Sequence, residues 1–213
     1  AIFLSGSRGM YSQFSKWVTD IIASEAPLFE KASIDEFYLD LSGMEKYFQP
    51  LPWTVALRER IMRETKLPIS FGLASNKMIA KMATNQAKPN GYLQVLPGKE
   101  KEFLAALPVA EIPGVGEQTT EILRSMNIHR IGQVAAMAKE ELESLLGKWG
   151  ADLWERSQGI HRGEVHPYHE AKSVSSETTF DADKADIVFL EQQLVRLTER
   201  VCYELRGDGK VAG

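Results

Sequence analysis

Asp35 and Glu36 stand side by side between two short β-prone runs, Leu28–Ala32 and Phe37–Leu41. Adjacent carboxylates have a definite chemical use in such a place. Hard Mg²⁺ prefers carboxylate oxygens, and two ions about 3.5–4 Å apart clamp the attacking and leaving oxygens of a phosphoryl transfer. In an extended strand neighbouring side chains point to opposite faces, so both groups serve one site only if the chain turns there. A hairpin with Ser33-Ile34-Asp35-Glu36 at its tip supplies that turn. The same pair is also what an ordinary solvated turn contains. Asp40, just ahead of Leu-Ser-Gly, reads as a residue that helps to end the second strand.

Two further groups bear on phosphate. Lys77, Lys81 and Lys88 fall close together on a helical wheel and make a local positive face. A lysine leaving a helix end beside a metal site holds a triphosphate as a mobile point charge, although a solvated helix face carries lysines in the same pattern. In Ile112-Pro113-Gly114-Val115-Gly116, followed by a helix, the glycines let a backbone come close to a phosphate. The helix start then offers free N–H groups and a positive dipole end. Such contacts grip a nucleic-acid backbone without reading bases, but a plain helix–turn–helix connection uses glycine as well.

These groups need a frame. Tyr11, Phe14, Val18, Ile21 and Ile22 recur at helical spacing, which predicts an amphipathic helix over residues 8–25. Pro52 precedes a helix over 54–66, and Pro68 introduces a strand over 69–74 whose Gly72 allows close backbone approach. Asn76 caps a helix running to Ala87. Lys88-Pro89-Asn90-Gly91 is a turn into a strand over 92–96. Helices alternating with strands predict a layer of helices on one face of a sheet, the other face left free. From Gly98 the pattern becomes small helices only, at 99–107, 118–126, 131–137, 139–146 and 152–158. Residues 166–176 are polar and aperiodic, as in a linker. A strand-like Ser176–Phe180 and an amphipathic helix over 187–205 then begin a third unit.

Hydrophobic residues at 44% and charged residues at 25% of the 213 exclude disorder and a fibrous fold. The single cysteine, Cys202, excludes an internal disulfide framework and reads as a packed thiol; its solitude fits a reducing compartment. No run approaches the roughly 18 apolar residues of a membrane span. The net charge of −4 does not argue against nucleic acid, because phosphate binding needs a local basic surface and not a basic protein. His161, His166 and His169 near Glu164 are too few and too loop-bound for a structural zinc site, which takes four ligands. Trp17, Trp53, Trp149 and Trp154 sit in or beside apolar helical stretches and read as core.

Ala32-Ser33-Ile34-Asp35-Glu36-Phe37-Tyr38-Leu39-Asp40 closely resembles the palm motif of Y-family, lesion-bypass DNA polymerases. Ser70–Lys81 resembles that family's palm strand and helix, Ala87–Gly91 its KPNG turn, and Ile112–Gly116 its thumb hairpin. The motifs come in family order across residues 32–116. The resemblance implies an α+β chain: a partial ferredoxin-like palm with helices on one face of a mostly antiparallel sheet, an all-helical thumb with a helix–hairpin–helix element, and the start of a little-finger α/β domain. The expected boundaries are 1–97 for the palm, 98–165 for the thumb, 166–176 for a linker and 177–213 for the little finger.

It further implies template-directed nucleotidyl transfer to a primer 3′-hydroxyl in translesion synthesis and DNA repair. Two Mg²⁺, or Mn²⁺ in their place, would sit on Asp35 and Glu36 as the catalytic, metal-binding pair. Lys88 would hold nucleotide phosphate, while Gly114, Val115, Gly116, Lys77 and Lys81 would face DNA. The expected partners are primed template DNA, deoxynucleoside triphosphates and a sliding clamp, in the cytoplasm and without a membrane. KPNG favours the polymerase IV branch over UmuC-like mutagenesis polymerases. A non-catalytic helix–hairpin–helix DNA-binding module is the alternative from another class. Both chain ends read as cut. The family's third metal-binding aspartate and its fingers would precede Ala1, so the chain alone is expected to be a poor polymerase.

Overall fold

The computed structural model describes residues 8–167 and 173–207. The opening apolar run, His169, the middle of the expected linker and the final Gly-Lys-Val-Ala-Gly lie outside the described residues. The chain divides into two compact units, Ala1–Pro167 and Tyr168–Gly213.

In the first unit, helix α1 (Arg8–Glu25) leads into strands β1 (Phe29–Lys31) and β2 (Phe37–Leu39). These pair antiparallel, with Phe29 opposite Leu39 and Lys31 opposite Phe37. Helix α2 (Pro50–Thr65) starts earlier than the expected residue 54. Proline is tolerated in a first helical turn, where its missing N–H has no acceptor to lose, so the Pro50-Leu-Pro52 sequence opens the helix instead of preceding it. Val18, Ile21 and Ile22 of α1 pack against Leu57 and Ile61 of α2, with Trp53, Phe29, Phe37 and Leu39 closing the cluster. Trp17 departs from expectation. It is 44% exposed and stacks on Phe14, because positions 18, 21 and 22 take the inward stripe of the helix.

Strand β3 (Phe71–Leu73), helix α3 (Lys77–Ala87) and strand β4 (Tyr92–Gln94) follow. The expected single, mostly antiparallel sheet is two two-stranded pieces among the described residues: β1–β2 antiparallel and β3–β4 parallel. A hairpin turn reverses the chain between β1 and β2, whereas the α3 crossover returns β4 in the direction of β3. Asn76 caps α3 as expected, its side chain accepting from the Ile79 N–H at 3.1 Å.

Gly72 fixes the depth of the helix. A Cβ there would lie 2.2 Å from the Ala80 carbonyl oxygen and 2.7 Å from the Thr84 nitrogen, so the backbones of β3 and α3 meet with no room for a side chain. The face of α3 that meets β3 carries Ile79, Met82 and Ala83, all fully buried.

Helices α4 (Glu100–Ala105), α5 (Glu117–Ser125), α6 (Ile131–Ala136), α7 (Lys139–Leu146) and α8 (Lys148–Ser157) complete this unit. Leu104, Ile112, Leu123, Ile131, Leu142 and Leu153 form one apolar core with Met78, Ile79, Met82 and Ala83 of α3. The strand-bearing half and the helical half therefore share a core.

In the second unit, helix α9 (Ile187–Gly207) forms as the periodicity predicts, and Phe180 packs edge-on against Phe189. The expected strand at 176–180 is irregular backbone. A strand exists only as one side of a ladder, and no partner strand lies among the described residues of this unit.

Gly72→Ala should lower unfolding stability by about 3 kcal/mol, because the added methyl meets backbone that cannot yield. Urea denaturation would measure it, and an unchanged midpoint would show that α3 does not sit on β3 as described.

Candidate active site

Five residues, Ala32–Glu36, connect β1 to β2, and Ser33 organises them. Its hydroxyl oxygen accepts the N–H groups of Asp35 (3.3 Å) and Glu36 (3.0 Å), while its proton goes to Asp35 Oδ1 at 2.7 Å. The Ala32 N–H closes the loop on the Glu36 carbonyl at 3.0 Å. A serine side chain that bonds the backbone two and three residues on makes a compact turn without helix or ladder. The turn displays two carboxylates at an exposed tip, as the sequence implied. Asp40 accepts the Ser42 N–H at 2.8 Å and so ends β2.

Helix α3 brings its lysines to this hairpin. Lys81 donates to both oxygens of Glu36, at 2.7 and 2.6 Å. The bond to Glu36 raises the Lys81 pKa, and the charge of Asp35 adds to the rise. Burial, with the charges of Glu36 and Glu30, holds the Tyr38 phenol above its ordinary value despite the opposing charge of Lys81. Lys77 turns elsewhere: its ammonium meets Glu30 of β1 at 2.6 Å and lies 4.8 Å from the centre of the Tyr38 ring. The two lysines share a face, as the wheel arithmetic required, but the hairpin's carboxylates engage that face. A helical wheel fixes which side chains travel together and not what they meet.

Lys88 is the exposed C-cap of α3, and its ammonium has no partner among the described residues. The turn it begins is held from outside. Arg58 of α2 donates to the Ile69 carbonyl (2.7 Å) and to both the carbonyl and side-chain oxygens of Asn90 (2.7 and 2.8 Å). Nothing in the sequence signals Arg58, because its partners lie 11 and 32 residues away.

In the helical half, Gly114 has φ +90, and a Cβ there would lie 2.9 Å from the Trp149 ring. Arg156 donates to the Pro113 carbonyl at 3.0 Å and lies over the same ring at 5.2 Å. Trp149 and Arg156 of α8 thus support the hairpin from beneath. Val115 packs towards the core, and its N–H is spent on the Ile112 carbonyl at 3.0 Å. Gly116 is the N-cap of α5 and supplies no side-chain acceptor, which leaves the first N–H groups of the helix without a side-chain cap. Glu117, in that first turn, is an acidic residue beside any phosphate bound there.

Asp35 and Glu36 offer hard oxygen donors of the kind Mg²⁺ takes, and two carboxylates make part of a divalent-ion site. Among the described residues no third carboxylate, histidine or cysteine joins them. No described helix is long and apolar enough to cross a membrane.

Comparison with known proteins follows the same layout. Residues 1–85 match the model of the impB/mucB/samB family, and 171–213 match the C-terminal domain of the same family. Residues 110–161 match the DNA polymerase-iota thumb domain. The chain belongs to the impB/mucB/samB family. A relative in Dehalococcoides mccartyi, named DNA polymerase IV, is 37% identical over 211 residues, covering 99% of this chain and 54% of that protein. The chain thus spans about half the length of that curated relative. The crystal structure of DinB from Sulfolobus solfataricus superposes with a TM-score of 0.69 at 29% identity, over 78% of this chain and 49% of that one. An insertion ternary complex of Dbh DNA polymerase gives 0.70 at 28% identity, over the same shares. The family's first model ends inside α3, and its thumb model takes in the Pro113–Gly116 hairpin and the α8 residues that support it.

Arg156→Ala removes the bond to Pro113 and the contact with Trp149, and should cost about 2 kcal/mol. Faster hydrogen exchange at the Val115 amide, beside a lower denaturation midpoint, is the expected result.

Proposed function

We propose that the parent protein is a template-directed DNA polymerase of the lesion-bypass type, acting in translesion synthesis and DNA repair. This chain would carry its catalytic hairpin and its duplex-gripping thumb. The observation that carries the reading is the Ser33-organised tip, which presents Asp35 and Glu36 together at the surface with Lys81 drawn onto Glu36. Family membership and the likeness to polymerase structures support it.

In this reading Asp35 and Glu36 hold two Mg²⁺, with Mn²⁺ able to substitute. Those ions supply charge stabilisation to the primer oxygen and the α-phosphate. Ser33 fixes both carboxylates by bonding the backbone that bears them. Lys81 keeps Glu36 aimed, since an ammonium bonded to both oxygens fixes the orientation of the carboxylate. Lys88 meets the triphosphate of the incoming nucleotide; a free lysine on an exposed turn places positive charge where negative charge shifts during transfer. Gly114, Gly116 and the open N–H groups of α5 grip backbone phosphate, with Val115 seated in the core to hold the hairpin's shape.

Primed template DNA and deoxynucleoside triphosphates are the substrates. A sliding clamp and a cytoplasmic location complete the reading on the strength of the family resemblance. We take 1–97 as palm, 98–165 as thumb, 166–176 as linker and 177–213 as the beginning of the little finger.

Primer extension by the full-length parent, run beside its Asp35→Ala and Lys88→Ala variants, tests the assignment. Asp35→Ala should abolish extension. Lys88→Ala should raise the nucleotide KM about tenfold or more, the loss of one charge-assisted contact, and leave the unfolding midpoint unchanged. Extension that survives Asp35→Ala would place the catalytic carboxylates elsewhere, and duplex binding without extension in any form would favour a DNA-binding module.

A further inference from the structure

The chain leaving α8 runs over residues 159–166 without helix or strand, yet it is held down at several points. Asn76 donates from its amide nitrogen to the Gly159 carbonyl at 3.0 Å, while its amide oxygen caps α3. Arg162 pairs with Glu155, whose carboxyl is held down to about 2 by its bonds to Lys139 and Arg162. Lys77 donates to the Glu164 carbonyl at 3.0 Å, and the His166 N–H donates to Glu30 at 2.9 Å. These contacts join groups 83, 87 and 136 residues apart, so local folding alone does not make them.

At the centre of this lies the Lys77–Glu30 pair, with side chains only 19% and 10% exposed. An ammonium has three protons to place. Here one goes to Glu30, one to the Glu164 carbonyl, and the Tyr38 ring takes the remaining face. Glu30 Oε2 in turn accepts from both Lys77 and the His166 backbone. Taking a charge pair out of water is unfavourable unless hydrogen bonds satisfy both members, and a pair so satisfied fixes one arrangement instead of many. Glu30 lies opposite Tyr38 in the β1–β2 ladder, on the hairpin whose tip bears Asp35 and Glu36.

We propose that Glu30, Asn76 and Lys77 form a latch that fastens the 159–166 strap to the catalytic hairpin and to the start of α3, fixing the point from which the following chain departs. Lys77 is then a positioning residue and not a DNA ligand. The latch itself stands on the contacts above. Its consequence rests on the polymerase reading: a strap already fastened to the hairpin adds no entropic cost of ordering when the first unit engages a duplex.

Hydrogen exchange of the 160–167 backbone in the full-length parent tests the latch without reference to catalysis. Asn76→Ser keeps an oxygen to cap α3 and deletes the donor to Gly159, so helix and fold survive the change. Exchange in 160–167 should rise about tenfold or more in Asn76→Ser and in Lys77→Met, the effect expected when one net hydrogen bond is lost. In the same Asn76→Ser protein, the Kd for a synthetic primed duplex should rise several-fold, while the single-turnover incorporation rate at saturating duplex stays that of the parent. Unchanged exchange in both variants overturns the latch. Faster exchange with an unchanged Kd, or a Kd change matched by an equal fall in rate, overturns the positioning role. Should Asp35→Ala leave extension intact, the polymerase reading fails, and the exchange measurement still decides the latch.

Discussion

The close approach of β3 to α3 at Gly72 is the constraint on which the rest of the site depends. With the Ala80 carbonyl oxygen 2.2 Å from where a Cβ would stand, helix and strand touch backbone to backbone. The depth of α3 sets where its next face emerges. That face carries Lys77 and Lys81 to the β1–β2 hairpin, while Ile79, Met82 and Ala83 go into the core shared with the helical half. A helix one methyl further out would move both ammonium groups from their carboxylates, and charge-assisted bonds of this length weaken steeply with distance. The Asn76 cap at one end and the Arg58-held Asn90 turn beyond the other keep α3 from sliding along the strand.

The ion pairs divide the cations into those held by carboxylates of the same fold and those left open to solvent. Lys77 and Lys81 are neutralised in place by Glu30 and Glu36, and Lys139 and Arg162 by Glu155, so these four cations are structural. Lys88 differs, because no carboxylate among the described residues pairs with its ammonium, whereas the N–H groups at the start of α5 have Glu117 in the same turn. A group left unpaired on a well-held turn can meet a ligand without first breaking an internal bond.

The helical half shows the same economy. Gly114 adopts a left-handed conformation over the Trp149 ring, and Arg156 ties the carbonyl beside it, so α8 braces the hairpin from below while its outer edge stays open. Of the four tryptophans, Trp149 is thereby a support for a turn, Trp154 packs on the core with its N–H on the Met137 carbonyl, and Trp53 closes the α1–α2 cluster.

The sequence by itself determined the elements and the turns. Periodicity placed α1 and α9, Asn76 marked the start of α3, and the Ser-x-Asp-Glu spacing marked the hairpin tip, because these signals act within a few residues along the chain. Only the tertiary structure decided what the lysines meet. Glu30 reads in sequence as one alternating strand residue and Lys77 as one member of a basic face; that they form a buried pair joined to residues 164 and 166 follows from the packing of α3 on the hairpin and from the path of the strap. The parallel pairing of β3 with β4, the surfacing of Trp17 and the irregular backbone at 176–180 belong to the same class. Local propensity states what a segment can form, while the choice between solvent, strand partner and counter-charge is made by whichever segments, distant in the chain, the fold brings alongside.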